Sequence, residues 1–208
     1  MAGNIQKPYV IPIFIPHSGC PHRCTFCNQN AVTGASESLP QPEDLRASVQ
    51  HWLQFRYEQR GFTEISFYGG NFLGLGKNEI QRLLNEAASW VRTGKVHGIR
   101  FSTRPDTVDK DHLDLIAGYP VSTVEIGVQS MDDKVLASVK RGHKAADSTA
   151  AAAMLKKAGY KLGCQIMTGL PDENEQSAVN TAASVAGMKP DFVRIYPLIV
   201  LAGSVLGA

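Results

Sequence analysis

The chain has 208 residues, 43% hydrophobic residues, four cysteines and a formal net charge of +2. This composition excludes a disordered chain and a disulfide scaffold, so we expect one domain, residues 1–208, around one sizeable core. The charge is too small to indicate a nucleic-acid partner by itself.

The sequence also bears on the compartment. The start of the chain shows no export signal. The longest apolar run, residues 195–208, contains Pro197 and is shorter than a membrane helix. We therefore expect a cytoplasmic protein with no membrane contact, in which thiols stay reduced unless they bind a metal.

Short β-rich segments alternate with segments of helical period along the chain. The predicted strands are residues 10–16, 64–68, 98–103, 121–128, 161–168 and 192–198. The predicted helices are residues 43–60, 78–93, 109–118, 132–159, with a break near Gly142, and 174–187. Repeated strand–helix units build parallel sheets with right-handed crossovers, so the predicted fold class is α/β.

The predicted strands alternate between an apolar and a polar face. In the fourth strand, Val124 and Ile126 share one face, whereas Glu125 and Gln129 share the other. If helices cover the apolar faces, the polar faces line a common cavity, because buried polar groups without partners are costly. The pattern predicts a partial, open six-stranded parallel β/α barrel with its ligand site at the carboxyl ends of the strands.

Three cysteines follow the first predicted strand in a C-x3-C-x2-C spacing: Cys20, Cys24 and Cys27. Such a spacing lets three thiolates converge on one metal centre, and an iron–sulfur cube held by three cysteines keeps one iron open. A structural zinc site with His17 or His22 as fourth ligand is the alternative. A third interpretation, three unrelated core thiols, fits the polar segment between them poorly. Cys164 lies on an apolar strand face and is interpreted as a core residue.

Several motifs together resemble one family. They are C-x3-C-x2-C with Phe26 before the last cysteine, "FYGGN", "STRPD", "VEIGVQS", "KRGH", "GYKLGCQIMTGLP" and "KPDFVRIYPLIV". This ordered set resembles the radical S-adenosylmethionine (SAM) superfamily, in the branch of oxygen-independent coproporphyrinogen III oxidase, the catalytic subunit of Elongator and bacterial proteins similar to it.

The resemblance implies a chemistry. Cys20, Cys24 and Cys27 would hold a 4Fe–4S cluster whose open iron binds SAM, and an electron from a donor of the flavodoxin or ferredoxin type would cleave SAM to a 5'-deoxyadenosyl radical. The residues that it implies for cofactor binding are Phe26, Gly69, Gly70, Asn71, Ser102, Gln129, Arg141 and Gln165. Asn71 and Ser102 stand where many members of the family have Glu, and Gln165 stands where this branch has Asp.

The resemblance leaves the substrate open. Elongator-like members act on tRNA, which makes tRNA modification the first expectation. Oxidation of a porphyrin like coproporphyrinogen is the second, and a non-catalytic metal-binding remnant is the third. Little sequence follows the sixth strand, so we expect a core without its last helix and without a C-terminal domain, in which the sixth strand has an exposed edge.

Overall fold

A computed structural model describes residues 7–21, 23–34, 38–55 and 61–208. In these ranges the strands are β1 Tyr9–Phe14, β2 Thr63–Tyr68, β3 Gly98–Thr103, β4 Val121–Gln129, β5 Lys161–Thr168 and β6 Phe192–Pro197. The helices are α1 Gln29–Thr33, α2 Pro42–Trp52, α3 Lys77–Arg92, α4 Lys110–Ile116, α5 Asp133–Ser138, α6 Ala145–Lys157 and α7 Glu175–Gly187.

The strands form one parallel sheet in the order β1-β2-β3-β4-β5-β6. Every strand pairs with the next one in the sequence, as repeated strand–helix units require. The predicted six-stranded α/β arrangement is therefore confirmed as a curled half-barrel.

The curl of the sheet is visible in contacts that cross its concave side. Arg194 on β6 reaches Tyr68 on β2, with 3.0 Å between Nη2 and the phenolic oxygen, although three strands separate them in the sheet order. Arg194 Nε also lies 2.9 Å from the Glu125 carboxylate on β4. Side chains on a flat sheet could not meet over this span, because neighbouring strands lie about 4.8 Å apart.

The apolar core lies between the convex face of the sheet and the helices. Phe67, Phe72 and Phe101 stack at its centre, with ring centroids 4.5–5.0 Å apart. Helices α2, α3, α4, α6 and α7 contribute buried residues to the same core, namely Leu45, Val49, Ile80, Leu83, Leu84, Ala87, Ile116, Ala151, Ala152, Leu155 and Val185. The predicted division into an apolar outer face and a polar inner face thus holds.

The helices agree with the prediction at the break near Gly142 and differ from it at the end of α2 and in the additional helix α1. Helix α2 ends at Trp52, whereas the predicted end, Arg60, lies outside the described residues. The predicted break near Gly142 is present: α5 ends at Ser138, and both Lys140 (φ 52°) and Gly142 (φ 80°) adopt left-handed backbone. The short helix α1 was not predicted, since five residues are too few to show a helical period.

The sheet is open at β1 and β6. On β6, Val193 is 41% exposed and Ile195 is 63% exposed, so the described helices do not cover this end of the sheet. No helix in the described ranges has the length and apolar character needed to cross a membrane.

Candidate functional site

A cavity of about 350 Å³ opens at the carboxyl ends of the strands. Its lining includes ten of the eleven predicted site residues: Cys20, Cys24, Phe26, Cys27, Gly69, Gly70, Ser102, Gln129, Arg141 and Gln165. Segments far apart in sequence therefore meet where parallel sheets place their ligand sites.

The three cysteine thiols of the loop after β1 face this one cavity as free thiols. Burial raises the pKa of Cys20, and burial with the neighbouring Cys24 and Cys20 thiols raises the pKa of Cys27 to about 12. Thiolates at these positions consequently need a nearby positive charge, which a bound metal centre supplies.

The zinc alternative needs a fourth ligand beside the three thiols. Among the described residues, no three His, Cys, Asp or Glu side chains, the three cysteines included, are grouped closely enough to hold a single metal ion. His17 lines the cavity, but its Nε2 accepts a hydrogen bond from the Gln29 backbone N–H at 3.1 Å. His22, the other ligand considered, lies outside the described residues.

The loop after β2 interlocks with the start of the cysteine loop. Gly70 has a φ of 55°, and a Cβ atom there would lie 2.3 Å from the carbonyl oxygen of Ser18 and 2.5 Å from that of Ile15. Asn71 N–H donates to the same Ser18 oxygen at 2.7 Å. The glycine is therefore required for backbone to meet backbone.

Gln29, which sequence reasoning missed, ties the same two loops together. Its Oε1 accepts hydrogen bonds from the backbone N–H groups of His17 and of Gly70, the latter at 2.8 Å. No motif marks this residue; its position two residues after Cys27 was the available clue.

Asn71 is the one predicted cofactor residue outside the cavity lining. Its side chain is fully buried: Nδ2 donates to Gly19 O at 3.0 Å, and Oδ1 accepts from Thr103 Oγ1 at 2.7 Å and from the Arg104 backbone N–H at 2.9 Å. Asn71 thus joins the cysteine loop to the segment after β3.

Gln129 ends β4 in an unusual conformation. Its φ is 68°, and the pairing register of β4 with β5 shifts between Gly127 and Gln129. The side chain is almost completely buried at the cavity wall, yet no donor in the described part of the chain reaches its Oε1. A buried acceptor without a partner at a cavity is a candidate ligand contact.

Arg141 reaches the cavity from the segment after α5. It is 7% exposed, its Nη2 donates to Gly127 O at 2.7 Å, and its Nη1 lies 3.5 Å from Cys24 Sγ. This contradicts the solvated surface position that a charge between lysines would otherwise have.

Gln165 is held by a buried ionic network. Its Nε2 donates to Ser102 Oγ at 3.0 Å and to the Glu125 carboxylate at 2.9 Å. Since a carboxylate only accepts hydrogen bonds, the amide orientation is determined, and Gln165 Oε1 is left as an acceptor. Glu125 is itself paired with Arg100 at 3.2 Å and with Arg194.

A second polar group lies beside the cysteines. Arg104 is 1% exposed and forms two hydrogen bonds to Asp106, from Nε at 2.9 Å and from Nη2 at 2.8 Å. Burial and the Arg141 charge lower the pKa of nearby His143 to about 4, so this imidazole is neutral at pH 7.

The end of the described chain covers the cysteine loop. Asn28 Nδ2 donates to Ala202 O at 2.8 Å, and Leu206 N–H donates to Thr25 O at 3.0 Å. The outer side of the loop is thereby attached to the segment beyond β6.

Known proteins resemble this chain in sequence and in fold. A tRNA uridine(34) acetyltransferase of Methanocaldococcus infernus is 32% identical over 98% of this chain and 45% of its own length. The chain spans 45–64% of the length of three curated relatives that it matches.

Two solved structures have the same fold. The archaeal Elp3 of Methanocaldococcus infernus aligns with a TM-score of 0.71 and 22% identity, covering 95% of this chain and 47% of that one. Coproporphyrinogen III oxidase of Escherichia coli, a radical SAM enzyme, aligns with a TM-score of 0.68 and 18% identity, covering 97% and 47%.

The model of the radical SAM superfamily matches residues 14–185, which contain the three cysteines and most of the cavity lining. This match confirms the resemblance to the superfamily seen in the motifs. The chain belongs to the radical SAM superfamily.

Proposed function

We propose that this chain is the core of an enzyme that binds a 4Fe–4S cluster and SAM and cleaves SAM reductively. The observation that carries the proposal is the convergence of Cys20, Cys24 and Cys27 on one cavity with Gln129 and Arg141. Members of the superfamily bind a 4Fe–4S cluster and SAM. When bound, a reduced cluster supplies the electron that cleaves the sulfonium and releases a 5'-deoxyadenosyl radical.

The donor atoms of the cavity fit these two groups. Three free thiols supply the ligands of a cluster with one open iron. The buried Gln129 Oε1 and the Gln165 Oε1 are acceptors for the amino and hydroxyl groups of SAM. Arg141 supplies a fixed positive charge for its carboxylate. The rest of the proposed cofactor-binding wall is formed by Phe26, Gly69, Gly70 and Ser102. Asn71 instead holds the cysteine loop in place through its hydrogen bond to Gly19 O.

The half-barrel also serves the reaction by excluding water. Radicals need a site shielded from solvent and oxygen, and the concave side of the sheet is closed below the cavity by the network of Glu64, Arg100, Glu125 and Arg194. The open end of the barrel is left for the substrate and for the electron donor, which we take to be a flavodoxin or a ferredoxin.

We propose tRNA as the substrate class. The support is the tRNA uridine(34) acetyltransferase named above, which matches 98% of this chain at 32% identity. The compartment, expected to be the cytoplasm, stays a prediction.

The test is anaerobic reconstitution with iron and sulfide, followed by counting of both and by assay of 5'-deoxyadenosine under dithionite. Cys20→Ala, Cys24→Ala and Cys27→Ala should each lose the cluster absorbance, and the matched control Cys164→Ala should keep it, because Cys164 lies in the core.

Three results would contradict the proposal. Wild-type protein with stoichiometric zinc and no sulfide would favour the structural metal site. An intact cluster in Cys24→Ala would remove the ligand assignment. A cluster without any 5'-deoxyadenosine would favour a non-catalytic metal-binding module.

A further inference from the structure

The guanidinium of Arg141 occupies a defined position in the wall of the cavity, next to Gly127. A Cβ atom at Gly127 would lie 2.7 Å from Arg141 Nη2, so the guanidinium occupies the space that any other residue at position 127 would fill. Nη2 also donates to the carbonyl oxygen of Gly127 at 2.7 Å. The absent side chain and the hydrogen bond together fix where the charge lies.

The backbone turn after α5 directs the Arg141 side chain toward Gly127. Lys140, two residues after the end of α5, has left-handed backbone. The Arg141 N–H then donates to Leu136 O at 2.9 Å, which is the hydrogen bond of a Schellman-type helix terminus. The same terminus binds the cysteine loop, because Thr25 N–H donates to Val139 O at 3.1 Å. Arg141 and its neighbour Cys24 are thus held on connected backbone.

The guanidinium consequently lies against a cysteine sulfur. Arg141 Nη1 is 3.5 Å from Cys24 Sγ, and both groups are buried. Arg141 lines the same cavity as Cys20 and Cys27. One buried cation therefore lies in the same site as all three proposed ligands.

We infer that Arg141 is a positioning residue for electron transfer: its N–H···S contact with Cys24 and its charge raise the reduction potential of the cluster. This rests on the proposed function. Reduction adds one electron to the cluster, and a buried cation stabilises the more negative product; hydrogen bonds to the sulfurs act in the same direction. This action is independent of any contact between Arg141 and SAM.

The test is a redox titration of the reconstituted cluster without SAM, with mediators and dithionite, followed by the paramagnetic resonance of the reduced form. Arg141→Met should lower the ratio of reduced to oxidised cluster at a fixed potential by about tenfold or more, which is about 59 mV for one electron. Gly127→Ala should shift the midpoint in the same direction, because it displaces the guanidinium while the charge stays in the chain.

The matched control is Lys140→Met, which removes an exposed charge one residue away. The ratio of reduced to oxidised cluster in this variant should stay within about threefold of the wild-type ratio, because exposed charges are screened by solvent and salt. An Arg141→Met cluster with wild-type midpoint would overturn the inference, as would an equal shift in Lys140→Met. If Arg141→Met does not retain its iron, the midpoint potential of Gly127→Ala tests the inference by itself, and a wild-type midpoint in that variant would overturn it. A wild-type chain that takes up no iron refutes the proposed function, and the inference falls with it.

Discussion

Replacing Asn71 with alanine should destabilise the protein as a whole, although its position in the "GGN" motif suggests a cofactor contact. The substitution leaves the buried Arg104 N–H and the partly buried Gly19 O without their partner, whereas Thr103 and Thr107 keep each other at 3.0 Å. A buried group left unpaired costs about 1–3 kcal/mol and a partly buried one less, so the loss in unfolding free energy should be about 1–4 kcal/mol.

Thermal denaturation of the cluster-free protein measures this effect without any contribution from cofactors. A domain of this size loses roughly 2–4 °C in Tm per kcal/mol, so a loss of about 3 kcal/mol corresponds to roughly 6–12 °C. The control is Asn85→Ala on the exposed side of α3, which should change stability by less than about 0.5 kcal/mol. Equal Tm values for the two variants would refute the structural role of Asn71.

Three further predictions concern Gly70, His143 and Arg141. Gly70→Ala should unfold the site or reduce iron uptake severely, whereas Gly94→Ala, also left-handed but with open space, should cost only about 1–2 kcal/mol in a melting experiment; similar losses would contradict the close approach to Ser18. The free energy of unfolding should fall by on the order of 3 kcal/mol between pH 6.5 and about 4, because the unfolded chain binds a proton at His143 that the folded chain refuses; His143→Gln should remove this part of the pH dependence. Arg141→Ala should weaken SAM binding by about 1.5–3 kcal/mol in anaerobic calorimetry at unchanged iron content, and an unchanged Kd would exclude the carboxylate contact.

The alternation of the strands was enough to predict the half-barrel. A period of two places Glu125 and Gln165 on the inner face whatever the details of packing, and parallel strands bring their carboxyl ends together. The break near Gly142 was predictable too, because glycine marks a left-handed turn.

Contacts between distant residues were not predictable in this way. The motif match placed Asn71 among the cofactor residues, but the hydrogen bonds that occupy its amide come from Gly19 and Arg104, which no local pattern relates to it. Gly127 lies inside a strand, and the positions of the Arg141 and Gln129 side chains explain why it has no side chain of its own. Gln29 was missed for the same reason.

The attachment of Asn28 to Ala202, 174 residues apart, has a consequence for the order of folding. The ribosome releases the cysteine loop first, yet one of its supports is made only after all six strands have been synthesised and paired. Contacts this distant in sequence form late, because the conformational entropy of closing a long loop is lost before the contact contributes any stabilising energy. The cysteine loop therefore lacks this support until β6 is in place, so cluster insertion should come after β6 has been synthesised.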